Sequence, residues 1–160
     1  MGGFGNKRKE IKGSSKKLQK LSERDLKVKS INSHLKGNLE DAEKGYAAFI
    51  KNGFNDADVF SNYALICEEN GELEKAIKLY ERCSSNFPNH VFSKLNLSFL
   101  YYKLNDTKKA SILIDNAIKL NPELPNGYCI KGLILKRLNK YNESEVSINK
   151  TIELDPNYFD

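Results

Sequence analysis

Two asparagines, Asn62 and Asn96, stand 34 residues apart in a chain of 160. Each amide side chain offers one acceptor and two donors, so a pair at a fixed interval can hold the backbone of an extended peptide. Leu65, Phe99 and Leu133 recur at the same interval. Around Asn96, the residues Phe92, Leu95, Phe99 and Tyr102 fall at helical spacing and would form an apolar patch for a partner. Lys103, Lys136 and Arg137 add cations further along the chain. These types suit recognition rather than bond-making.

Residues that could carry catalysis or bind metal are sparse. Cys67, Cys83 and Cys129 are odd in number and form no CxxC pair, which argues against a disulfide framework and for a reducing compartment. His34 and His90 lie far apart, with no cysteine or acid at ligand spacing, so no zinc site is expected. The chain has no Gly-rich phosphate loop and no motif pairing a nucleophile with a base. Neither a catalytic residue, a metal nor a cofactor is expected. Cys67 and Cys83 fall where core residues would, as inert thiols.

Charge is unevenly distributed. Residues 1–22 hold seven basic side chains against Glu10, a balance of +6, within a formal net charge of +5. The rest of the chain is therefore close to neutral. Gly2, Gly3, Gly5, Gly13, Ser14 and Ser15 disfavour regular structure there, so this tail is expected to be a disordered, solvated leader. A second reading is a polybasic arm for nucleic acid or an anionic membrane surface. Lysine dominates over arginine, which weakens any expectation of base-specific contacts. No apolar run approaches the ~20 residues of a membrane helix. The start of the chain lacks a signal-peptide core, and a cytoplasmic location is expected.

The elements that must position these residues are repeated. Pro88, Pro122 and Pro156 are spaced by 34, and so are Gly37, Gly71, Asn105 and Asn139. Ala42, Ala76, Ala110 and Ser144 keep the same register, as do Tyr46, Tyr80, Ile114 and Ile148. Four such ladders define a tandem array with units 23–56, 57–90, 91–124 and 125–158, the first degenerate with Phe54 at the proline position. Within a unit, apolar residues fall twice at helical spacing, as in Phe60, Tyr63, Ala64, Cys67 and then Leu73, Ala76, Ile77, Tyr80. Gly or Asn between them suits the left-handed turn that ends a helix. The small residue five positions later suits a close helix crossing, and proline stops the second helix.

This pattern resembles the tetratricopeptide repeat family: 34 residues, small side chains at positions 8 and 20, and proline at position 32. Unit 57–90 matches best, through Phe60, Ala64, Gly71, Ala76, Tyr80 and Pro88. The resemblance implies an all-α fold, a right-handed superhelix of about four helix-hairpin repeats. It also implies that the first helix of each unit lines a concave groove. Asn62, Leu65, Phe92, Leu95, Asn96, Phe99, Tyr102, Lys103, Leu133, Lys136 and Arg137 then fall on the groove side, and Lys94 could instead signal a rotated helix that buries the patch. The asparagine pair is similar to the ladder of O-linked GlcNAc transferases, although Val28 and Ile130 interrupt it. Ser61 and Leu65 stand where a carboxylate clamp needs Lys and Asn. The expected function is non-catalytic binding of an extended peptide or helix of a protein partner. The second expectation is a substrate-recruiting module for a transferase acting in trans. At the C-terminal end, Ile148 and Ile152 would either mediate homo-oligomer formation or be covered by Tyr158 and Phe159.

Overall fold

The computed structural model describes residues 22–159. Apart from Ser22, the expected basic tail of residues 1–22 lies outside the described residues. Among those described there are eight α-helices and no strand. They are α1 (Glu23–Leu35), α2 (Leu39–Lys51), α3 (Ala57–Glu69), α4 (Leu73–Asn86), α5 (Val91–Lys103), α6 (Thr107–Leu120), α7 (Pro125–Arg137) and α8 (Tyr141–Leu154). They pair as antiparallel hairpins, α1 with α2 through α7 with α8.

Each hairpin turn is built the same way. Gly37, Gly71, Asn105 and Asn139 have φ of 76°, 79°, 64° and 60°. Their N–H groups and those of the next residues cap the preceding helix, as in Gly71 to the Glu68 carbonyl at 3.0 Å and Glu72 to the Cys67 carbonyl at 2.8 Å. These bonds satisfy carbonyls that a helix end leaves unpaired. Glycine adopts this backbone freely, and asparagine is the residue that tolerates it best after glycine.

Small side chains let the two helices of a hairpin touch. Ala42, Ala76 and Ala110 are fully buried, and Ser144 is nearly so. Ser98 donates from Oγ to the Ala110 carbonyl at 2.8 Å, and Ser144 donates to the Gly132 carbonyl at 2.8 Å. A Cβ on Gly132 would lie 2.7 Å from Ile148 Cδ1, which is closer than side chains pack. The degenerate first unit folds by the same rules. It lacks the proline, but Gly53 at φ 82° ends α2 and Phe54 packs edge-on to Phe49, with ring centroids 5.3 Å apart.

The core runs continuously from Leu26 to Ile134, with Tyr46, Phe49, Phe60, Ile66, Tyr80, Leu100 and Ile114 fully enclosed. Each helix packs on its neighbours in sequence, and α5 also contacts α3 and α7 directly. The second helices make no comparable contact with one another. The array therefore curves toward α3, α5 and α7, which line its inner wall. At the C-terminal end Ile148 is half-buried and Ile152 is 43% exposed. Tyr158 lies against Cys129, and burial pushes its phenol up to about 12.

Candidate functional site

The inner wall carries most of the residues singled out above. Phe92, on the first turn of α5, is 56% exposed. Phe99 and Tyr102, further along the same face, are half-buried and stacked, with centroids 6.1 Å apart and planes at 15°. The Arg137 guanidinium sits 3.6 Å above the Tyr102 ring and donates to the Tyr102 carbonyl. Lys103 lies 5.4 Å from the Phe99 centroid and donates to Glu68 at 2.7 Å. Lys136 is exposed, while Asn62, Leu65, Asn96 and Leu133 are half-buried.

Leu95 departs from the expectation. It is 4% exposed and belongs to the core, not to the patch. Helical spacing alone places Leu95 with the patch, but an inner helix is covered on three sides by its hairpin partner and by the flanking first helices. The same crowding buries Ser61, one unit earlier. Lys94 does not reflect a rotated helix, since Ser98 stays in the hairpin seam where the register places it. Lys94 is half-buried, and burial lowers its pKa.

Each of the two asparagines faces a buried tyrosine hydroxyl of the preceding hairpin. Asn62 faces the Tyr46 hydroxyl, which also pairs with His34 Nδ1 at 3.2 Å. Asn96 faces the Tyr80 hydroxyl, yet that buried oxygen forms no hydrogen bond among the described residues. Burial raises the pKa of both phenols, more strongly for Tyr80, where Glu68 adds to the effect. Glu68 occupies the position equivalent to His34, but its carboxylate is turned toward Lys103. Between the third and fourth units Ile114 and Ile130 replace tyrosine and asparagine together. The polar pair is thus present or absent as a unit.

Charge on the inner wall is partly neutralised at its acidic end. Asp58 faces Lys27 at 3.2 Å and His90 at 3.8 Å, and Glu68 holds Lys103. Among the described residues, neither Lys136 nor Arg137 has a carboxylate within 4.0 Å. The net result is a cationic, aromatic end formed by α5 and α7.

Two side-chain groups escaped the sequence. Cys83 Sγ lies 3.6 Å from His90 Nδ1, and His90 Nε2 lies 3.8 Å from Asp58, so the chain does place a thiol, an imidazole and a carboxylate in order. Cys83 is fully buried, burial raises its pKa, and His90 Nδ1 accepts from the Ser93 N–H to cap α5 at 3.2 Å. A thiol in that setting is a poor nucleophile. Helix ends brought these residues together, and neither spacing nor motif signals it. The other group is Glu43, Cys67 and Glu72, whose ligand atoms lie within 4.8 Å of one another. The Lys75 ammonium, 3.0 Å from Glu43 and 2.7 Å from Glu72, supplies the cation there. Burial pushes the Cys67 thiol up to about 11.

The fold and wall define a class: an α-helical repeat protein in which stacked hairpins present one continuous face. The tetratricopeptide repeat model matches residues 57–90, 93–124 and 125–158, and the chain belongs to that family. A stretch of 104 residues is 31% identical to a UDP-N-acetylglucosamine–peptide N-acetylglucosaminyltransferase of Giardia intestinalis, covering 64% of this chain and 7% of the transferase. An 87-residue stretch is 33% identical to the outer membrane protein assembly factor BamD of Neisseria meningitidis, covering 51% of this chain and 31% of BamD. The chain thus spans less than a third of either curated relative. A crystal structure of MamA superposes with a TM-score of 0.76 at 16% identity, over 85% of this chain and 80% of that one. A tetratricopeptide repeat protein from Parabacteroides merdae gives 0.73 at 26% identity, over 86% and 55%. No described helix is long and apolar enough to cross a membrane.

Proposed function

We propose that the chain is a non-catalytic scaffold for protein interaction that holds an extended peptide or helix of a partner on its inner wall. The observation that carries this is the exposed Phe92 beside the stacked Phe99–Tyr102 pair, on the face that curvature makes concave. Arrays of this kind present extended concave surfaces to partners as a general property. The similarity to a transferase supports a second reading, in which the module recruits substrates for a separate enzyme. Both readings use the same wall.

The test is affinity capture with three baits: the wild-type chain, a Phe92→Ala/Tyr102→Ala variant, and an outer-helix variant at the exposed Val146, Val146→Lys. Partners kept by the outer-helix variant and lost by the inner-wall variant support the proposal. Partners that ignore the inner-wall substitutions overturn it.

A further inference from the structure

We infer that the outer face formed by α6 and α8 is a docking surface for a second copy of this chain, joined about a two-fold axis parallel to the two helices. This face lies opposite the inner wall, and the inference stands independently of the peptide reading.

The apolar part of the face recurs at one position of the repeat. Ile112 on α6 is 57% exposed, Val146 on α8 is 69% exposed, and they stand 34 residues apart. Ile112 lines a cleft with Leu97 and Tyr101 of α5, and Val146 lines one with Tyr128 and Leu135 of α7. The exposure does not depend on where the array stops, because Ile112 keeps it with a whole hairpin stacked after α6.

The charges on the two helices are opposite. α6 carries Lys108, Lys109 and Lys119 against Asp115, whereas α8 carries Glu143, Glu145 and Glu153 against Lys150. At two repeat positions the sign reverses outright: Lys109 corresponds to Glu143 and Lys119 to Glu153, with Ile112 and Val146 between them. Both are second helices of stacked hairpins, so they run in the same direction and equivalent residues sit at the same height. A two-fold axis between them lays α6 of one copy on α8 of the other without reversing direction. Each residue then meets its repeat-equivalent, so Ile112 meets Val146 of the second copy, Lys109 meets its Glu143 and Lys119 its Glu153. One face supplies both signs and both apolar groups, as an isologous interface requires.

None of these charges is committed to a strong partner within the chain. Lys109 pairs with Asp106 at 3.3 Å, Glu143 with Lys140 at 2.9 Å and Glu153 with Lys150 at 2.6 Å, each three residues away. Lys119 has no carboxylate within 4.0 Å among the described residues. Exposed pairs of this kind contribute little and can exchange partners. The earlier second helices do not offer the same match. Lys44 and Lys78 stand at the position of Ile112, and Lys75 stands at that of Lys109, so laying α4 on α6 would oppose like charges.

Two helices of 14 residues are about 21 Å long and together about 20 Å wide, which gives about 400 Å² from each copy. That is about half of what a stable interface takes from each partner, so the pair is a reversible dimer and not an obligate one.

Sedimentation equilibrium of the full chain, from about 1 μM to about 1 mM, tests the inference. The average mass should climb from that of one chain toward that of two, and Ile112→Glu/Val146→Glu should stay monomeric throughout. Lys119→Glu and Glu153→Lys should each weaken association about tenfold, because each sets two like-charge contacts in the pair. Combining them restores opposite signs, and the double variant should associate as wild type. That recovery is specific to this face, and it keeps the test decisive if glutamate at the apolar positions disturbs folding. A wild-type chain that is monomeric at every concentration would overturn the inference and leave the face to a different partner. A dimer indifferent to Ile112→Glu/Val146→Glu, or single charge variants not rescued by their combination, would overturn it in favour of another surface.

Discussion

Replacing Tyr80 by phenylalanine should stabilise the protein, whereas the same change at Tyr46 should destabilise it. Both rings are fully buried at equivalent positions, so the loss of one oxygen is the same chemical change in the same packing environment. The difference lies in partners. Tyr46 pairs with His34 at 3.2 Å, and removing its hydroxyl forfeits that bond and strands the imidazole nitrogen, at about 1 kcal/mol. Tyr80 has no partner among the described residues, and an unpaired buried donor costs about 1–3 kcal/mol in lost solvation. Its removal should return about 1 kcal/mol, allowing for the void that remains. Urea unfolding followed by circular dichroism measures both variants, with equal m-values required for comparison because repeat arrays can leave two-state behaviour. The midpoints should move in opposite directions. If Tyr80→Phe loses as much as Tyr46→Phe, the Tyr80 hydroxyl is already paired, with Asn96 its natural partner.

Three further outcomes are expected. Gly132→Ala should destabilise by about 1–2 kcal/mol despite alanine's better helix propensity, because its methyl meets Ile148 Cδ1 at 2.7 Å, and Ile148→Val should restore part of the loss by thermal melting. His90 has its pKa lowered by burial, so its neutral form is favoured in the fold and caps α5. That stability is complete above about pH 6.5 and is lost as pH falls through the depressed folded value, whereas His90→Asn, which caps without titrating, should show a flatter midpoint over the same window. Thiol labelling of the native protein should modify the half-buried Cys129 first and reach Cys67 and Cys83 only on unfolding; rapid labelling of Cys83 would mean its burial is transient.

Much of this architecture was legible because its repeat imposes the same backbone problem four times. Gly37, Gly71, Asn105 and Asn139 mark one left-handed turn, and chemistry leaves few other residue types that fit it. The small-residue ladder records a distance between helices, which a linear pattern captures directly. Legibility fell where a side chain answers to several helices at once. Leu95 has the spacing of a groove residue and the surroundings of a core one, because α3 and α7 close over a face that periodicity leaves open. The tyrosine ladder and the asparagine pair were each visible, but their contact joins the second helix of one unit to the first helix of the next. Cys83 and His90 meet only because α4 ends and α5 begins where they do. Arg137 on Tyr102 likewise depends on the angle between α5 and α7, which no spacing encodes.

Unequal burial along the array has a mechanical consequence. Within the described residues α1 buries only Leu26 and Ser30, while α3 buries seven side chains and α5 six. Because hairpins lean only on those beside them, disruption should advance as a front from the leanest pair inward. Amide exchange would then be fastest in α1 and slowest in the middle hairpins. A load applied at that margin should peel the α1–α2 hairpin away before the middle hairpins yield.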